Sequence, residues 1–286
     1  MYFNLEWSAQ SSITFISNQG AILHFNFNID ISVLEDKFTT AKIGNSLKVL
    51  SKTDSTNEEI RRNLTLPEGA VIIADQQTHG KGRQGRFWHS ETGTGLYLST
   101  LVKPGLPVEK LALITLMAGL ATISAILQQL PSLPLKLKWP NDILLNSKKI
   151  AGILCEYIPG TGVIIGIGIN LNQTGFPLEI QDIATSLKLE TGNTVNRTDL
   201  VISLLENLGS EYEEFLQEKR TDLIKKWTDK TDMFGKTTTI HQKGKFLTGT
   251  AIGLDIEGRL ILKTSDGKQH TLSSGELLAT RLENPR

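Results

Sequence analysis

The sequence predicts an α+β protein: a mixed-sheet domain of catalytic size, followed by a small β-barrel. Three observations carry this. Between about residues 46 and 230, strand patterns such as Ala70-Val71-Ile72-Ile73-Ala74 alternate with helical stretches such as residues 198–215. After Gly235 the pattern changes to short strands, Thr237-Thr238-Thr239-Ile240 and Leu260-Ile261-Leu262-Lys263, divided by turns at Glu257-Gly258 and Asp266-Gly267. The chain of 286 residues is long enough to bury one large core or two unequal ones. The expected organisation is an N-terminal extension of unknown role over residues 1–43, a larger domain over 44–232 and the small one over 235–286.

Taken in chain order, residues 25–31 alternate apolar and polar, a strand pattern, and no strong helix is expected before residue 43. The segment is too short and too strand-like to supply a helix-turn-helix reader. Asp54-Ser55-Thr56-Asn57-Glu58-Glu59 holds the S/T-x-x-E form of a helix start in two overlapping frames. The first N–H groups of such a helix have no internal partner, so its hydroxyls and amides also suit a polar ligand. Residues 96–102 read as a strand. Residues 111–127 are uncharged and mostly apolar, but the run is shorter than the roughly 20 residues a bilayer needs. With Pro107 and Glu109 opening it and Gln128-Gln129 closing it, it reads as a buried helix. Lys138-Trp139-Pro140-Asn141-Asp142 reads as a strand ending in a rigid turn, with a hairpin over residues 143–152. Residues 163–172 form a buried-type strand interrupted by Gly166 and Gly168, which weaken it unless something must approach its backbone.

Composition excludes several classes. Thirty basic residues balance thirty acidic ones, so no general field favours nucleic acid or an anionic membrane. Cys155 is the single cysteine, which rules out an internal disulfide and any multi-cysteine metal site. Its strand-like flanks make it a buried thiol rather than a nucleophile. The five histidines are scattered, and no protein-bound structural metal is expected. The N-terminus offers no basic signal-peptide region and no Arg-rich transit pattern, so a soluble cytoplasmic protein is expected.

The richest chemistry lies in Gly80-Lys81-Gly82-Arg83-Gln84-Gly85-Arg86-Phe87-Trp88, where three glycines alternate with three cations. Glycines let the backbone approach an anion, while Lys and Arg supply charge to its oxygens. The flank does not suit a dinucleotide loop, which opens directly into a helix; here turn-formers lead to a strand. A kinase loop fits no better, since neither H-R-D nor D-F-G is found downstream.

In order, Asp54-Ser55-Thr56-Asn57, Gln77-Thr78-His79 with the basic glycine loop, Lys138-Trp139-Pro140-Asn141-Asp142, Lys148-Lys149-Ile150-Ala151-Gly152 and Gly166-Ile167-Gly168-Ile169-Asn170 closely resemble the biotin–protein ligases. The resemblance is strong over residues 46–172. It is looser over Gly249-Thr250-Ala251-Ile252-Gly253-Leu254-Asp255 and Ser274-Gly275-Glu276-Leu277, which look like that family's SH3-like terminal domain. Residues 1–43 match nothing recognised, and the DNA-binding domain of the repressor-type ligases is not expected.

The resemblance implies activation of biotin with ATP and Mg2+ to biotinyl-5'-AMP, then transfer to a lysine of a biotin carboxyl carrier protein. A carboxylate and a phosphate, both anions, must meet, so cations are needed; Lys81, Arg83 and Lys149 are the candidates. By resemblance, Ser55, Thr56, Asn57 and Gln77 bind the ureido end of biotin, and Gly80, Lys81, Gly82 and Gly152 complete its site. Arg83 holds the acyl-phosphate, and Lys149 contacts the carboxylate and the developing oxyanion. Trp88 packs against adenine. Arg86, Lys138, Asn141 and Asn170 lie towards the nucleotide, with Mg2+ held mainly by the ATP phosphates, and Asp142 orients the acceptor amine. The family loop has Arg where this chain has Lys81, which keeps the charge but loses the bidentate fork. His79 stands where a small residue is common. A lipoate–protein ligase and a biotin-binding regulatory protein are the alternatives; uncharged polar groups favour a ureido ring over a dithiolane. A monomer and a homodimer are both compatible with the sequence.

Overall fold

The computed structural model describes residues 12–16, 22–26, 29–105, 111–242 and 244–278. A two-stranded antiparallel ladder comes first, β1 (Ser12–Ile16) with β2 (Ile22–Asn26). Where no helix was expected, α1 (Ile31–Phe38) forms. Asp30 caps it, accepting from the N–H groups of Ser32 and Val33, and the helix buries Leu34 and Phe38 in the main core. The alternation of residues 25–31 therefore stops before Asp30, and Ile29 and Ile43 join the same core, so residues 29–43 belong to the larger domain. Residues 27–28 lie outside the described residues.

The central sheet has seven strands in the order β3-β4-β5-β9-β8-β7-β6. They are β3 (Ser46–Leu50), β4 (Ala70–Ala74), β5 (Gly95–Val102), β6 (Leu135–Lys138), β7 (Asp142–Leu145), β8 (Lys148–Ile158) and β9 (Gly162–Asn170). Only β3 and β4 pair in parallel; every other neighbour is antiparallel. One face is covered by α3 (Leu111–Gln129), which packs on α5 (Arg197–Leu216) and α6 (Arg220–Thr228). The short helix α4 (Leu187–Thr191) precedes α5. Although α3 is long and apolar enough to cross a membrane, it is a core helix, with Leu113, Met117, Ala121 and Ile126 fully buried. Pro107 and Glu109, expected to open it, lie outside the described residues.

The period of two along each strand divides the sheet between two tasks. On β9, Val163, Ile165, Ile167 and Ile169 face the large core, whereas Ile164 joins a smaller cluster with Ile60 of α2 (Thr56–Arg62), Ile72, Leu101 and Ile158. Gly166 and Gly168 share this second face, as does Ser99 of β5, opposite Gly166. The sheet therefore offers a bare, glycine-paved strip beside the start of α2.

After Gly235 come β10 (Thr237–Gln242), β11 (Lys245–Leu254), β12 (Leu260–Lys263), β13 (Gln269–Leu272) and β14 (Glu276–Leu278). They form an antiparallel sheet in the order β13-β12-β11-β10-β14, and among the described residues the outer strands do not pair to close a barrel. Gly258, at φ +75°, turns the chain between β11 and β12; a Cβ there would lie 2.9 Å from Leu116 of α3. The backbone carbonyl of Gly258 accepts from Trp139 Nε1 at 3.1 Å, which joins the small domain to the turn before β7.

Candidate active site

Two groups of residues meet along the glycine strip. The first is uncharged and buried. Ser55, Thr56, Asn57 and Gln77 are each at most 8% exposed. Ser55 is the N-cap of α2 but makes no side-chain cap bond, so the expected capping box is not formed. Glu58 turns to Lys81 and Arg61, and Glu59 to Thr53 and Arg62. Gln77 Oε1 instead accepts from the Thr56 N–H at 2.9 Å, while its Nε2 donates to Ser90 Oγ at 3.0 Å. Ser99 Oγ lies 2.7 Å from Thr56 Oγ1 and donates to Asn57 Oδ1 at 2.5 Å. The Asn57 amide donates to Glu156 Oε2 at 2.7 Å. A Cβ on Gly166 would meet Asn57 Oδ1 at 2.3 Å, so that glycine is what lets the amide lie on β9.

The second group is charged. Lys149, on β8, pairs with Asp142 of β7 at 2.5 Å and stands 5.3 Å from the centroid of the Trp88 ring. Trp88 lies across the strip: a Cβ on Gly168 would meet it at 2.5 Å, and one on Gly152 at 3.0 Å. Gly152 and Gly168 are direct cross-strand partners, so both must be small to seat one indole. The Trp88 Nε1 donor is buried without a hydrogen-bond partner. Arg83 Nη1 donates to Asn141 Oδ1 at 3.3 Å, and Asn141 is itself fixed by Nδ2 on the Ile153 carbonyl at 2.9 Å.

The basic loop holds its own shape. Gly82 N donates to Arg86 O at 2.7 Å, Trp88 N to Gly80 O at 2.8 Å, and Lys81 bridges Phe87 as a β-pair. At its tip Gln84 and Gly85 have φ of 56° and 75°, and Gly85 has open space where a Cβ would stand. Gly80 is closed in: a Cβ there would lie 2.5 Å from the Trp88 carbonyl.

The structure therefore brings Arg83, Asn141, Asp142, Lys149, Gly152 and Trp88 together, beside the buried Ser55, Thr56, Asn57 and Gln77. Other expected residues sit differently. Lys81 is drawn to Glu58 at 2.6 Å, a contact that lowers the Glu58 carboxyl below its usual range. Arg86 is exposed, and Lys138, half-buried, pairs in register with Asp142. Asn170, expected near the nucleotide, is 4% exposed and its Nδ2 serves the carbonyls of Thr185 at 3.0 Å and Lys149 at 3.4 Å. The same loop grips the Lys149 backbone on both sides, through Lys149 N to Ile183 O at 2.8 Å and Thr185 N to Lys149 O at 3.0 Å. Asn170 thus acts on the placement of Lys149. Cys155, on β8, has its thiol pushed up to about 12 by desolvation, which leaves no thiolate near neutrality.

Ser90, Ser99, Glu156 and Thr185 were not singled out in the sequence. Ser99 and Glu156 were legible only through the period of two on β5 and β8, once the sheet order is known. An open cavity of about 260 Å³ lies elsewhere, against β3 and α2. Its cations Lys48 and Arg62 are engaged with Glu59, and none of the residues above except Glu59 and Arg62 lines it.

Comparison with known proteins locates the same two regions. The family described as "Biotin/lipoate A/B protein ligase family" matches residues 46–172, and "Biotin protein ligase C terminal domain" matches residues 233–277. The bifunctional ligase/repressor BirA of Bacillus subtilis is 36% identical over 225 residues, 77% of this chain and 69% of that protein. The biotin–[acetyl-CoA-carboxylase] ligase of Mycobacterium tuberculosis is 30% identical over 262 residues, covering 88% and 96% of the two chains. Among solved structures, the biotin protein ligase from Aquifex aeolicus in complex with biotin and ATP superposes with a TM-score of 0.74 at 32% identity, covering 82% of this chain and 98% of that one.

Proposed function

This chain belongs to the biotin/lipoate A/B protein ligase family and is an ATP-dependent biotin–protein ligase, and from that premise we propose which of its groups carry the two half-reactions and what accepts the biotin. The observation that supports the assignment best is the junction at the glycine strip. A neutral, hydrogen-bonding pocket built on Ser55, Thr56, Asn57 and Gln77 ends beside a cation pair, Lys149 and Arg83, held by Asp142 and Asn141. Biotin has the same two ends: a neutral ureido ring and a carboxylate.

In the first half-reaction an oxygen of the biotin carboxylate forms a bond to the α-phosphorus of Mg-ATP, and the bond from phosphorus to the pyrophosphate oxygen breaks. Lys149, ion-paired with Asp142, offers N–H donors to the carboxylate and phosphate oxygens as their charges meet. Arg83, placed by Asn141, holds the acyl-phosphate and keeps water from it. Trp88 walls the junction, its indole N–H free to donate to a ligand acceptor. Lys81, engaged by Glu58, contributes less to the anion site than its place in the loop suggests.

In the second half-reaction a lysine amine of a biotin carboxyl carrier protein attacks the acyl carbon; a C–N bond forms, the C–O bond to phosphate breaks, and AMP leaves. The amine must first lose a proton, from an ordinary pKa of about 10.4, and Asp142 at the rim is the carboxylate available to orient it. The balanced net charge gives no general field for DNA, and the cytoplasm is the setting that the single cysteine fits. The test is incubation with biotin, Mg-ATP and a purified carrier domain. One added biotinyl group on one lysine by mass spectrometry supports the reading; unmodified carrier with consumption of ATP contradicts the acceptor.

A further inference from the structure

We propose that Glu156, on the glycine face of β8, is a positioning residue for biotin recognition: it fixes the Asn57 amide so that Asn57 meets the ligand as an acceptor only. The proposal rests on the assignment of Asn57 to the biotin site. Asn57 is 3% exposed, and its Nδ2 faces two groups that can only accept, Glu156 Oε2 at 2.7 Å and the Leu154 carbonyl at 3.4 Å. Two acceptors on one side settle the amide orientation, since an oxygen there would be repelled by both. Both amide hydrogens are thus used within the protein. On the other side Oδ1 takes one hydrogen bond, from Ser99 Oγ at 2.5 Å, and an amide oxygen has room for a second.

Glu156 is held in turn. Arg61 Nη2, one turn along α2 from Asn57, donates to Glu156 Oε1 at 2.8 Å, so the two carboxylate oxygens serve two different donors. The carboxylate is about a quarter exposed and the guanidinium more so, which makes that ion pair a guide for the side chain rather than a large source of stability. The chemistry selected is a ligand that presents an N–H to Asn57 Oδ1. A ureido ring has two such donors, and a dithiolane ring has none. Without Glu156 the Asn57 Nδ2 keeps only the long contact to Leu154, and because the Ser99 hydroxyl at Oδ1 can rotate to accept instead of donate, the amide can turn over and would then offer N–H to N–H.

The experiment compares Glu156→Ala, Asn57→Ala, their double variant and Arg61→Ala, reading the biotin KM and kcat of ATP–pyrophosphate exchange and the biotin Kd by calorimetry. Glu156→Ala is expected to raise biotin KM and Kd about tenfold, the scale of one charge-assisted hydrogen bond, with kcat and the KM for ATP held within about twofold. Asn57→Ala is expected to raise them at least as much, and the double variant no further than Asn57→Ala alone. Arg61→Ala, which removes the ion pair but not the contact to Asn57, is expected to stay within about twofold of wild type, an outcome that a purely structural role for Glu156 would not give. A wild-type biotin KM in Glu156→Ala, or effects that multiply in the double variant, overturns the proposal. If Asn57→Ala itself binds biotin normally, the assignment of Asn57 fails and the proposal falls with it; if only Asn57→Ala is impaired, the assignment stands and Glu156 alone is excluded. Should Glu156→Ala not fold, Glu156→Gln leaves one acceptor oxygen for two donors and is expected to raise biotin KM by an intermediate factor; no rise overturns the proposal.

Discussion

On the proposed assignment, Lys149 is the side chain on which the reaction depends most. Its ammonium is half-buried against Trp88, paired to Asp142, and its backbone is held on both sides by the loop that carries Ile183 and Thr185. Lys149→Ala is expected to cut biotin adenylation by at least about 10²-fold, the scale for one removed electrostatic stabiliser, as measured by exchange at saturating biotin and ATP. On the same assignment Arg83 has the other part. Arg83→Gly is expected to leave adenylation measurable but to let biotinyl-5'-AMP escape, seen as faster release of labelled intermediate; release at the wild-type rate contradicts the clamp. Both residues stand out in the sequence because each sits in a short local motif. Lys81 was legible as a cation but not in its partner, because Glu58 lies 23 residues away on a helix whose capping signal it was expected to complete.

At the scale of elements, the site is made by strand period and by glycine. β8 and β9 send every second residue to the large core, and on the other face they place Gly152, Gly166 and Gly168 where Trp88 and Asn57 must lie. Gly168→Val is expected to displace the indole, raising biotin KM about tenfold or more while the far-UV circular dichroism stays native. A normal KM would mean that Trp88 has no part in the pocket. The interruption of β9 by two glycines was legible as a close approach; what approaches was not, because Asn57 and Trp88 come from other elements. Glu156 shows the limit most clearly, since its partner Asn57 is 99 residues away and only the sheet order brings them together. The helix α1 was missed because the alternation of residues 25–31 dominated the pattern. The signal for it was present in Asp30 as a cap followed by Ile31, Leu34 and Phe38 at helical spacing.

At the scale of the whole molecule, the small C-terminal sheet is joined to the motif that carries Asn141 and Asp142. Trp139, in the same short segment, is 1% exposed and donates to the carbonyl of Gly258, whose turn packs on α3. Trp139→Phe leaves that buried carbonyl without its donor and is expected to cost about 1–3 kcal/mol of stability, read as a lower urea midpoint. An unchanged midpoint would show that the joint carries no stability. The two-part architecture was legible from the change of pattern at Gly235; the joint was not, because a tryptophan in a turn gives no sign of which carbonyl it will meet.

Activation of biotin at the junction of Lys149, Asp142 and Arg83 is probed most directly by pyrophosphate exchange into Mg-ATP. The purified protein is used without carrier, comparing biotin, lipoate and neither, for the wild type and Lys149→Ala. Exchange that requires biotin and is lost in Lys149→Ala is the predicted result. Exchange driven by lipoate, or biotin-dependent exchange undiminished in Lys149→Ala, would contradict it.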